Sequence, residues 1–140
     1  MKKNISKIIL GLQLLASILI IGAVCSWAPV CDGLLELKNG NMVHMKCFYT
    51  AQASVALAII MFIAAIMAYL SKTDHRKVQW IVFILGVMLI ANTMDSAIGI
   101  GICKKVMACH ETAVWIKSAG IVAILSSLLD IAVNTSDPYQ

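Results

Sequence analysis

Four apolar stretches, approximately Ile8 to Trp27, Thr50 to Leu70, Val78 to Ile102 and Thr112 to Val133, fill most of the chain and leave only short polar connections. About 20 apolar residues in helix cross a hydrocarbon core of about 30 Å, where only a helix or a closed barrel satisfies its backbone groups. The expected fold is all-α: a four-helix transmembrane bundle made of two tandem helical hairpins. A share of 13% charged residues against 61% hydrophobic ones excludes an ordinary soluble domain, which carries about 25% charge. Residues 1–140 are then a single integral membrane domain, with nothing left over for a soluble one.

The chain repeats itself where polar loop gives way to apolar run. Met45–Lys46–Cys47–Phe48–Tyr49–Thr50–Ala51 returns as Met107–Ala108–Cys109–His110–Glu111–Thr112–Ala113, with Met, Cys, Thr and Ala at the same offsets. Two hairpins of equal orientation, related by a pseudo-two-fold axis along the membrane normal, follow from that placement.

The net charge of +4 is spread along the loops rather than clustered with aromatics, which argues against nucleic acid as a partner. Lys2, Lys3 and Lys7 precede the first span and Lys72, Arg76 and Lys77 fill the second connection, against Lys38, Lys46, Lys104 and Lys105 in the other two. The positive-inside rule then sets both termini in the cytoplasm of a multi-pass protein of the inner or plasma membrane. The apolar run from Ile8 to Val24 exceeds the apolar region of a signal peptide, about 7–15 residues, so an uncleaved first helix is expected.

Polar residues inside the spans mark packed faces. Gln13 and Ser17 share one face of the first helix; Ala51, Ser54, Ala58, Met61, Ala65 and Ala68 form a small-residue stripe on the second, the pattern that lets helices approach closely in lipid. On a third helix running to Ile102, Asn92, Asp95, Ser96 and Gly99 point inward, with Asp95 about 10 Å below the boundary. A carboxylate at that depth needs a partner, and Lys117 of the fourth helix is the expected one, in an intramembrane ion pair. Asp130, near the opposite boundary, is expected to snorkel to water. In the first loop, Asn39–Gly40 signals a tight turn and a short hairpin.

Cys31, Cys47, Cys103 and Cys109 gather on the outer side, while Cys25 at the top of the first span is expected to be a buried thiol. Three chemistries are open to them. In an oxidising compartment they form disulfides, Cys31–Cys47 and Cys103–Cys109 within the repeats or a pairing across them. Met45, Cys47, Met107, Cys109 and His110 also compose a soft donor set for Cu(I), or for Zn through thiolate and imidazole, although the spacing fits no zinc signature. Thiol–disulfide exchange is the third chemistry, but the spacings of sixteen and six lack the close Cys-x-x-Cys pair that lowers a thiol pKa.

Met45–Lys46–Cys47 with Thr50–Ala51–Gln52, and Cys103 with Met107-x-Cys109–His110, resemble the signature of a small bacterial and archaeal four-span family catalogued as a domain of unknown function, family 4418. Phe48 departs from the histidine expected there, which removes one candidate metal ligand. The resemblance implies an integral membrane protein with no established catalytic residue and an ABC-transporter permease as its partner. The expectation is a non-enzymatic accessory or binding subunit with a cysteine-stabilised outer cap and no cofactor; the alternatives are a Cu(I) or Zn binding or transport protein and a membrane thiol–disulfide oxidoreductase.

Overall fold

The computed structural model describes residues 2–30, 33–70, 75–97, 99–101 and 108–135. Four helices carry the fold: α1 (Lys2–Gly22), α2 (Lys46–Leu70), α3 (His75–Thr93) and α4 (Ala108–Thr135). All four are long and apolar enough to cross a membrane. α1 and α3 each pack against both α2 and α4, so the helices form a closed ring in which α2 and α4 touch only lightly across the middle. Between the strands β1 (Leu34–Glu36) and β2 (Met42–His44) the chain reverses through Leu37–Gly40, and Gly40 takes φ of 76° where a side chain would be strained. The Asn39–Gly40 hairpin expected from the sequence is present. It sits at the end of the bundle opposite the two termini, called here the hairpin end.

The repeat continues through the whole depth of the bundle. Cys47, Thr50, Ala51, Ser54, Ala58, Met61, Ala65 and Ala68 are the buried residues of α2. At the same spacing along α4, Cys109, Thr112, Ala113, Ile116, Gly120, Ala123, Ser127 and Asp130 are all buried too. α1, with the first residue beyond it, and α3 match as well: Gln13, Ala16, Ile20 and Ala23 correspond to Gln79, Val82, Gly86 and Leu89, all of them buried. Ala16, Ile20, Ala58, Met61, Leu89 and Ile116 belong to the central cluster, in which small residues alternate with large ones. The second hairpin closes tighter than the first. A Cβ on Gly86 would stand 3.2 Å from the Gly120 carbonyl, and one on Gly120 3.3 Å from that of Gly86.

Several boundaries differ from those expected. α2 and α4 begin about one turn earlier, at Lys46 and Ala108. The third helix ends at Thr93, not Ile102, because the chain turns back on itself there: Met94 N donates to Ala91 O and Gly101 N to Asn92 O. Glycine is required in this return. A side chain on Gly99 would collide with the Ala91 and Met94 carbonyls, and Gly101 has φ of 78°. At the end of α1, a π-helical turn (Ala23–Trp27) keeps Ala23 buried and leaves Cys25 exposed, overturning the expectation of a buried thiol there. The Trp27 ring folds over Gly22 and meets Trp115 edge to face at 5.9 Å.

Candidate functional site at the hairpin end

The repeated heptapeptides converge. Cys47 and Cys109, each 1% exposed, line one small cavity together with Thr50, Thr112, Ala51 and Ala113. Thr93, Val30 and Ile116 complete its wall, and its volume of about 10 Å³ holds at most one water. Both threonines sit in the first turns of α2 and α4, and both reach across to the other hairpin. The Thr50 hydroxyl donates to the Gly101 carbonyl at 2.6 Å and that of Thr112 to the Ala28 carbonyl at 2.5 Å. Each thus satisfies a carbonyl left over where the opposite hairpin's first segment ends. Asn92 adds a third tie, its amide donating to the Thr50 carbonyl and to the Ser54 hydroxyl, both at 3.1 Å.

The cysteines differ in state. Cys109 is a free thiol and Cys47 is not. The free Cys109 thiol overturns the expected Cys103–Cys109 disulfide and any direct Cys47–Cys109 bond, although Cys47 and Cys109 line the same cavity. Cys31, Cys103 and Met107 lie outside the described residues. Of the described members of the soft donor set, Cys47 and Cys109 meet at the cavity. Met45 turns to the hairpin base, where its methyl group would stand 2.9 Å from a Cβ on Gly33. His110 is half-buried, and its Nδ1 has no hydrogen-bond partner among the described residues. His44 stacks on Phe48 with ring centres 4.5 Å apart, the two rings bracing the hairpin against α2. No group of three His, Cys, Asp or Glu residues suited to a metal occurs among the described residues.

The intramembrane Asp95–Lys117 pair is not formed. With α3 ending at Thr93, Asp95 falls in the return loop, where its side chain is 58% exposed and lies 4.0 Å from Lys46. Lys117 stays on α4, half-buried. A second buried polar cluster lies deeper, and half of it escaped the sequence reading. Gln13 Nε2 donates to Gln79 Oε1 at 2.8 Å, with Ser126 Oγ 3.4 Å away, so an amide bridge crosses the bundle from α1 to α3. Asp130, expected to snorkel, is fully buried. The sequence did hold a signal for it: Asp130 stands in the repeat where Ala68 stands in the small-residue stripe.

These features define a small multi-pass membrane protein built by duplication of a helical hairpin, its two copies locked together at one end. The chain belongs to the family described as a domain of unknown function, DUF4418, whose model matches residues 13–133. No curated protein and no solved structure matches it.

Proposed function

We propose that the chain is a non-enzymatic accessory or binding subunit of the inner or plasma membrane, standing beside an ABC-transporter permease with both termini in the cytoplasm. In this reading Cys47 forms a disulfide with a loop cysteine, Cys31 in the first instance, and so fastens an outer cap. The observation that carries it is the closure of the site: the paired Cys47 and Cys109 positions enclose about 10 Å³, too little for a substrate beside the sulfurs. The threonine hydroxyls and the Asn92 amide hydrogens there are already engaged in ties between segments. Such an interior holds a fixed shape rather than turning over a reactant.

The test is non-reducing peptide mapping of detergent-purified protein, with metal analysis of the same sample and native-gel comigration with the co-expressed permease. The expected result is Cys47 in a disulfide-linked peptide, Cys109 recovered as a thiol, no stoichiometric metal and a shared band with the permease. Freely alkylated Cys47, or migration apart from the permease, contradicts the reading. A second reading, soft-metal binding, draws on the free Cys109 thiol and on His110 Nδ1, which has no hydrogen-bond partner among the described residues. It requires copper or zinc to copurify under reducing conditions and to be lost in Met45→Ala/Met107→Ala.

A further inference from the structure

The seams between the hairpins leave two grooves on the outer surface of the bundle, and the duplication relates them. One, of about 290 Å³, lies between α2 and α3, walled by Ala53, Ala56 and Ile60 on one side and Met88, Ala91 and Asn92 on the other. The second, of about 150 Å³, lies between α4 and α1. Its α4 wall presents the counterpart positions, with Trp115 where the first groove has Ala53. The copies have diverged so that one groove is narrowed by an indole and the other is the roomier of the two.

The roomier groove holds an unanswered polar atom. Asn92 is only 9% exposed, and its amide nitrogen is committed to Thr50 and Ser54. Its Oδ1 accepts no hydrogen bond among the described residues and is left towards the groove that Asn92 lines. An acyl chain has no donor to offer it, and an unsatisfied carbonyl in hydrocarbon is costly. The matching donor is on the same surface. Gln52 is exposed on α2, one turn before Ala56, and makes no hydrogen bond among the described residues. Thr50 and Ser54, which Asn92 holds, bracket Gln52 along the helix, so donor and acceptor lie at one depth, about 9 Å from Lys46.

We propose that the α2–α3 face is the interface of a homodimer whose two-fold axis runs along the bilayer normal, with the Gln52 carboxamide of each copy donating to Asn92 Oδ1 of the other. A two-fold axis in that direction sets groups of equal depth opposite each other, which is what the pair requires. Ala53 and Ala56 let the two α2 helices come close. The inference goes beyond the proposed accessory role and does not depend on the cysteine cap.

The test is single-molecule photobleaching of full-length labelled protein in liposomes over falling protein-to-lipid ratios. Wild type is expected to bleach in two steps at high density and one at low density, defining a dissociation constant. Gln52→Leu removes two symmetric hydrogen bonds and raises that constant on the order of tenfold; Ala56→Trp fills the groove and abolishes the dimer. Both positions are exposed, so thermal unfolding of each variant, read at the low density where wild type is monomeric, stays at the wild-type value, and Ile121→Ala on α4 serves as the unaffected control. A monomer at every density, as expected if lipid or a foreign helix fills the groove, overturns the proposal. A dimer indifferent to both variants overturns it equally.

Discussion

Thr50 and Thr112 hold the two hairpins together by exchange, each donating its hydroxyl to a carbonyl of the other's hairpin, at Gly101 and Ala28 respectively. Both threonines are buried and occupy the same place in the repeated heptapeptide. Replacing either with valine keeps the shape and removes the donor, leaving a buried carbonyl unsatisfied at about 1–3 kcal/mol. Thermal unfolding in detergent should show that loss for Thr50→Val and for Thr112→Val, and serine at either position should recover most of it.

The Gln13–Gln79 bridge makes a sharper forecast, because damage from one change should be repaired by a second. Gln13→Leu strands the Gln79 amide inside the bundle, at about 1–3 kcal/mol. The double variant Gln13→Leu/Gln79→Leu removes both partners and should be the more stable of the two. A double-mutant cycle that gave simple additivity would show that the amides do not act as a pair.

The Gly86–Gly120 crossing predicts a difference between a glycine at a helix contact and one that faces open space. In Gly86→Ala the new methyl group meets Ile124 at 2.9 Å and the Gly120 carbonyl at 3.2 Å, so α3 and α4 must separate. Overpacking of this kind costs about 1–3 kcal/mol. Gly11, which has nothing within 4 Å of a new Cβ, should accept alanine without loss. Denaturation midpoints of the two variants decide the matter.

Asp95 and Lys46 form an exposed contact, 58% and 70% accessible. Asp95→Asn should therefore change stability by no more than about 1 kcal/mol. A loss of about 3–5 kcal/mol would instead mark a buried pair and return Asp95 to the membrane interior.

Cys25 and Cys109 are both free thiols, but only Cys25 is exposed. With a membrane-permeant maleimide, Cys109 should react at least about tenfold more slowly, since its reaction waits on local opening of the first turn of α4. Denaturant should bring the two rates together.

Much of this architecture was legible because periodicity and duplication are local patterns. The repeated heptapeptide pointed to matched Cys47 and Cys109 before any contact was known, and Asn39–Gly40 announced the β-hairpin. The end of α3 was not legible. Ile98, Ile100 and Ile102 prolong its apolar run, while what stops the helix is the return through Gly99 and Gly101, held by a hydroxyl from Thr50, far away in the chain. Asp95 was misplaced for the same reason, and its expected pairing with Lys117 failed with it, although Lys117 lies on α4 as expected. Asp130 looked like a residue of a wet helix end, and Gln79 drew no reading, because the depth of both depends on how far the neighbouring helices extend beside them.

The early stop of α3 also reaches beyond the protein. With 19 residues α3 rises only about 28 Å, while α2 and α4 have 25 and 28 residues. A helix that short barely equals the hydrocarbon thickness and has no slack to tilt, so on its side of the bundle the bilayer itself must yield. The protein therefore presents lipids with an uneven collar, pinched along one flank, and thicker membranes should disfavour that flank most.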